Sequence, residues 1–231
     1  MDDTSFDRAL IAAAFARIGA YGWHRLNLVE AARNAGLDVA RTRARFPGRC
    51  ALLLRFGSLA DQAALTGAPA EGPVRDRLFD ILMRRIDVLQ SHRAGVAALL
   101  RALPTDPAAA LLLGSASLRS MGWMLDGAGA SAAPPLGLLR AKALLAVWLW
   151  TMRAWQRDES EDLSATMAAL DQALARAERA ESWLHRRPPA APPAPEPHAD
   201  AVPADQPPAD HPPTNHSPAE TVPQADPDPP G

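Results

Sequence analysis

The sequence contains one cysteine, Cys50, and one lysine, Lys142. A single thiol excludes an intrachain disulfide and any metal site built from several thiolates, and it suits a reducing cytoplasm. Long apolar runs are missing too. The most apolar stretch, Ala141 to Met152, falls short of the ~20 residues that a membrane span needs. The opening residues, MDDTSFDR, are acidic and lack the basic-then-apolar pattern of a secretory peptide, so a soluble, cytoplasmic protein is expected. There is no glycine-rich phosphate loop followed by lysine, no nucleophile elbow around Ser115 or Ser117, and no His/Cys cluster with ligand spacing. Asp158, Glu159, Glu161 and Asp162 are close in sequence, but they fall at an expected helix start, where acids favour the dipole and face water. An enzyme is therefore the weakest reading, and no cofactor or metal is expected. No segment alternates with period two over a useful length, so the body is expected to be all helical.

What is present is unevenly distributed. The 231 residues are 48% hydrophobic, enough for a sizeable core. The formal charge of −2 averages two unlike parts. Beyond Arg187 there is no Lys or Arg but there are seven acids, and taking those from the 26 leaves 19 acids against 24 bases, a body of about +5. A mildly basic body fits a nucleic-acid surface, although many basic bodies bind none. From Pro188 onward the chain is proline-rich with few large apolar residues. It cannot repay the entropy of ordering and reads as a disordered tail, either a tether or an inert solubilising extension.

Helical periodicity and breakers divide the body. Thr4 and Asp7 are a candidate capping pair for a first helix to about Tyr21, with Leu10, Ile11, Ala14, Phe15 and Ile18 on one face. Short helices follow at Leu28 to Ala35 and Val39 to Arg45, then one from Arg49 to Leu65. The segment TGAPAEGP reads as a loop, which places a domain boundary near residue 66. Beyond it come Val74 to Gln90, Val96 to Leu103, Ala108 to Leu125 and two long helices, Leu136 to Arg157 and Ser160 to about Leu184. The last two are separated by a short turn and are expected to form an antiparallel hairpin. The expected domains are thus 1–66, 67–187 and a tail over 188–231.

The stretch from Leu26 to Leu54 carries the sharpest signal. Asn27 caps the first short helix, with Glu30 placed to return the bond. Gly36 supplies the left-handed backbone that ends it, and Asp38 caps the next. This is a helix-turn-helix. Its second helix carries Arg41, Thr42, Arg43 and Arg45, with Arg49 just beyond. Guanidiniums here can reach phosphates and the acceptor edge of guanine in the major groove. The bland alternative is a solvated basic face, and positions two apart lie ~200° apart on a helix, so the three arginines cannot share one side.

Gly36, Asp38, Thr42, Arg43, Arg45, Phe46, Gly48 and Arg49 stand at the positions of the pattern that marks the N-terminal domain of TetR-family repressors, which this stretch resembles. Gly36 and Phe46 match it strictly; Asp38 and Arg49 are conservative. Thr42 stands where an apolar packing residue is usual, and Arg43 and Arg45 replace aromatics. The resemblance implies a double-stranded DNA operator contacted through Asn27, Asp38, Arg41, Thr42, Arg43, Arg45 and Arg49. It also implies a C-terminal domain that binds a small apolar ligand, and a homodimer formed through the last two helices. Candidate pocket linings are Met121, Trp123, Met124, Trp148 and Trp155, with His92 and Arg119 to orient a polar head; ordinary core packing is the alternative for each.

A second resemblance covers Arg75 to Leu184, including WQRDESEDLSATMAALDQAL, together with the Gly22-Trp23 ending of the first helix. It is to the lipid-binding accessory protein of ubiquinone biosynthesis, which has a TetR-like fold without acting as a repressor. Here Trp183, Leu184, Arg186 and Arg187 run straight into proline, leaving no length for that family's amphipathic surface helix. Two functions stay open: a ligand-released repressor, or a carrier of isoprenoid or other lipid without specific DNA binding.

Overall fold

In the first helix the buried stripe begins with an acid. α1 (Asp3–Tyr21) turns Phe6, Asp7, Leu10, Ile11, Ala14, Phe15 and Ile18 inward. Its cap is Asp2, which accepts from the Ser5 amide at 2.8 Å, and not the Thr4 and Asp7 pair expected from the sequence. With Asp2 satisfying the first turn, Asp7 is left on the core-facing stripe one turn before Leu10 and Ile11, and it is fully buried.

The protein is described here from a computed structural model that covers residues 1–67, 71–131 and 136–185. The expected disordered tail lies outside the described residues. All regular structure among the described residues is helical: α2 (Leu28–Asn34), α3 (Val39–Arg45), α4 (Arg49–Leu65), α5 (Val74–Gln90), α6 (Arg93–Ala102), α7 (Pro107–Gly127), α8 (Gly137–Arg157) and α9 (Ser164–His185), with short 3-10 turns at Trp23–Arg25 and Leu103–Thr105. No single helix among them is long and apolar enough to cross a membrane.

α1, α2 and α3 pack together, and α4 runs from them into the rest of the body, where it lies against α5 and α7. α1 also packs closely on α6. Gly95 permits that approach, because a β-carbon there would stand 2.3 Å from the carbonyl oxygen of Phe15. A second tie is Asp106, which caps α7 through the Ala109 amide (3.0 Å) and also accepts from Trp23 Nε1 (2.9 Å). The Gly22-Trp23 ending is therefore a buried anchor, since Trp23 is 1% exposed.

α8 and α9 form a hairpin. α8 buries Leu144, Val147, Trp148, Met152 and Trp155. Trp150 stands outside this buried side. The turn into α9 corrects another expectation, because Asp158 does not face water. It is buried, accepts from the Thr166 amide and hydroxyl at 2.7 Å each, and accepts from the Ser160 amide (3.1 Å) and hydroxyl. Those bonds, first to the Ser160 and Thr166 side chains, outweigh burial and hold its pKa far below the usual carboxylate range.

The sign of the linkage follows. Asp158 stabilises the fold fully above the unfolded-chain value of ~4 and loses that contribution as pH falls further. Asp158→Asn should lower the melting midpoint by about 5 °C at neutral pH, and the gap between variant and wild type should shrink below about pH 4. Thermal melts across pH check this.

Candidate functional site

The two short helices are built as their residues dictate. Asn27 Oδ1 accepts from the amides of Val29 (2.9 Å) and Glu30 (3.3 Å) to start α2. Glu30 does not return a bond to the Asn27 backbone; its carboxylate pairs with Arg17 of α1 and so fixes α2 on that helix. Gly36 has φ 64°, and the Leu37 amide reaches back to the Ala32 carbonyl at 2.8 Å. This is the glycine-closed helix end that turns the chain sharply. Asp38 Oδ1 then accepts from the Arg41 amide at 2.6 Å to start α3. Thr42 fills the apolar position, 2% exposed, with its hydroxyl satisfied by donating to the Asp38 carbonyl at 2.8 Å.

The arginines divide by face. Arg41 and Arg45, four apart, share one side of α3, and that side lies against α1. Arg41 pairs with Asp3 at 2.5 Å and lies over the Phe6 ring. Arg45 reaches Asp7 with Nε at 2.8 Å and Nη2 at 2.9 Å, and Asp3 at 2.6 Å with Nη1. Arg55 of α4 gives Asp7 a third bond at 2.7 Å. Burial opposes the charged form of Asp7, but Arg45 and Arg55 outweigh it and its pKa is lowered; the bond to Asp7 raises that of Arg45. Arg49 pairs with Asp106 at 3.2 Å and covers the Trp23 ring. Arg43 alone of these points to the opposite side of α3, where it is exposed between Ala40 and Ala44, with Nη1 on the Pro47 carbonyl.

The sequence thus marked the helix but not the acids that hold Arg41 and Arg45 of α3 and Arg49 of α4. The available signal was Asp7 itself, since an acid on an apolar stripe requires cationic partners.

The second half places the expected ligand residues in two environments. Met121, Met124, Trp148 and Trp155 are core residues, 0–5% exposed. Trp155 donates Nε1 to Gln90 at 2.9 Å and stacks under Arg93. His92 packs on the paired rings of Phe15 and Phe56, centroids 5.6 Å away in each case, and burial pushes its pKa down. Arg119 and Trp123 instead line a half-open groove of about 490 Å³ between α4 and α7. The sequence did not single out that groove's inner residues, Asp61, Arg85 and Ser120. Arg85 is 6% exposed, lies under the Trp148 ring at 4.6 Å, and has Nε 2.9 Å from Asp61 Oδ1. Burial pushes its pKa down, with Asp61 opposing. Ser120 donates to the other Asp61 oxygen at 2.5 Å.

No family model matches this sequence, and no curated protein does. Solved structures do. The TetR transcriptional regulator from Nitrosomonas europaea ATCC 19718 is 18% identical, with a TM-score of 0.64 over 76% of this chain and 99% of that one. A tetR-family transcriptional regulator from Streptomyces coelicolor is 20% identical, with a TM-score of 0.57 over 80% of this chain and 85% of that one. At such identities the likeness establishes the fold, which among the described residues is all helical and TetR-like.

Proposed function

We propose that the protein is a DNA-binding transcriptional regulator, with residues 1–66 contacting a double-stranded operator and residues 67–187 binding a ligand and a second copy of the chain. The observation that carries the reading is the capped α2–turn–α3 unit, whose α3 leaves Ala40, Arg43 and Ala44 exposed along one side. An arginine flanked by methyl groups suits a major groove, where guanine offers two acceptors and thymine a methyl. The solved neighbours with this fold are described as transcriptional regulators, which supports the same reading. Ligand release is a matter of α4, whose Arg55 bonds Asp7 of α1, the partner of Arg45 on α3, and whose residues from Leu53 to Leu65 form a wall of the groove. A ligand with different affinity for two positions of α4 shifts the recognition helices apart or together.

Dimerisation is proposed on α8 and α9, where Leu138, Leu139, Leu149, Trp150 and Trp183 are all more than half exposed. Leu149→Glu combined with Trp150→Glu should convert dimer to monomer in sedimentation equilibrium while leaving helicity unchanged. Equal sedimentation of the two proteins contradicts this interface.

One observation favours a second reading, a lipid carrier without specific DNA binding: Arg41, Arg45 and Arg49 are all engaged within the chain. Deletion of the gene distinguishes the two. A regulator changes a small set of transcripts, and wild type but not Arg43→Ala restores them. Unchanged transcripts contradict the regulator reading.

A further inference from the structure

We infer that the groove between α4 and α7 takes an amphipathic carboxylate, with its acid head on Arg85 and its chain along Leu53, Leu54, Leu113 and Trp123. Four observations point to this chemistry. The charged lining residues are Arg85, Arg119 and Asp61, so the groove carries an excess of one positive charge. Arg85 is almost wholly buried, yet its Nε and Nη1 make no hydrogen bond. Asp61 meets that need only in part: its Oδ1 pairs with Nε at 2.9 Å and its Oδ2 is occupied by Ser120, which leaves Nη1 without an acceptor. Finally, Trp148 covers the guanidinium face, so an acceptor must approach the edge of the fork.

A buried donor without an acceptor is costly, and a carboxylate is the group whose two oxygens fit a guanidinium edge. A neutral head gives weaker bonds, and a cationic one is repelled by the excess charge. The rest of the groove is apolar enough to hold a hydrocarbon chain, with Leu65 at its far side. The polar head thus lies on Arg85, whereas the sequence pointed to His92 and Arg119. It explains why an arginine interrupts the apolar stripe of α5, among Leu78, Ile81, Leu82, Ile86 and Leu89.

The inference rests on reading residues 67–187 as the ligand-binding half, but it is tested without DNA, so the two can fail separately. Full-length protein is titrated calorimetrically with decanoate and with decanol. Decanoate should bind at least about tenfold more tightly than the alcohol of the same chain length. Arg85→Met should remove that preference. Because this variant leaves the half-buried Asp61 without its ionic partner, a second variant keeps the test independent of folding. Gly57 lines the groove, and a β-carbon there meets nothing within 4 Å. Gly57→Leu should therefore fill the space, keep or raise the melting midpoint, and abolish decanoate binding. Equal affinity for acid and alcohol, decanoate binding that survives Gly57→Leu, or no heat at millimolar decanoate would each overturn the assignment. Failure of the regulator reading shows elsewhere, as absent operator binding by the ligand-free protein.

Discussion

Asp7→Ala should lower the thermal midpoint by roughly 10 °C and weaken any DNA binding with it. Asp7 is fully buried and accepts three bonds, two from Arg45 on α3 and one from Arg55 on α4. Removing the carboxylate leaves two guanidiniums facing each other at the centre of the three-helix unit. Breaking a buried ion pair by deleting one partner costs about 3–5 kcal/mol, far more than deleting an exposed one. Asp3 is the internal control. It shares Arg45 with Asp7 and pairs also with Arg41, but its side chain is 63% exposed, so Asp3→Ala should change the melting midpoint by no more than a degree or two. Equal effects of the two substitutions would show that burial of Asp7 does not set the strength of this brace.

Arg43→Ala should weaken operator binding by about 10- to 100-fold while leaving the midpoint unchanged. Arg43 is exposed, and its bond within the chain is to the Pro47 carbonyl, so nothing folded depends on it. Arg45→Ala should instead lose binding together with stability, because Arg45 is half of the Asp7 brace. If Arg43 contacts a phosphate and not a base, the loss should be uniform across sequences and the salt dependence should flatten by about one ion. Anisotropy titrations at several salt concentrations separate these cases. A Arg43→Ala protein that binds as tightly as wild type would remove α3 from the interface.

The fold was legible where local chemistry decides it. Gly36 and Asp38 mark a turn that only a left-handed residue and a capping carboxylate make well, and the structure has both in those roles. The α4 and α5 boundaries followed from Pro73 and from the loop before it. What the sequence could not show was partnership over distance. Asp7 finds Arg45 and Arg55, 38 and 48 residues away, and no local pattern announces that. In the same way, tryptophans and methionines that suit a ligand pocket suit a core equally well. Trp148 and Met121 are core, whereas Trp123, on the same helix as Met121, opens onto the groove. Arg85 stands on the apolar stripe of α5, but only the packing of α4 and α7 gives it a cavity to serve.

The most direct measurement is selection of genomic fragments by the purified full-length protein at two salt concentrations. A regulator of this architecture should recover one two-fold-symmetric sequence at both, with half-sites about one helical turn apart or a multiple of it. Retention that is sequence-blind and disappears at the higher salt would contradict DNA recognition. It would leave Arg41 and Arg45 of α3 as internal braces and the groove as the functional part of the molecule.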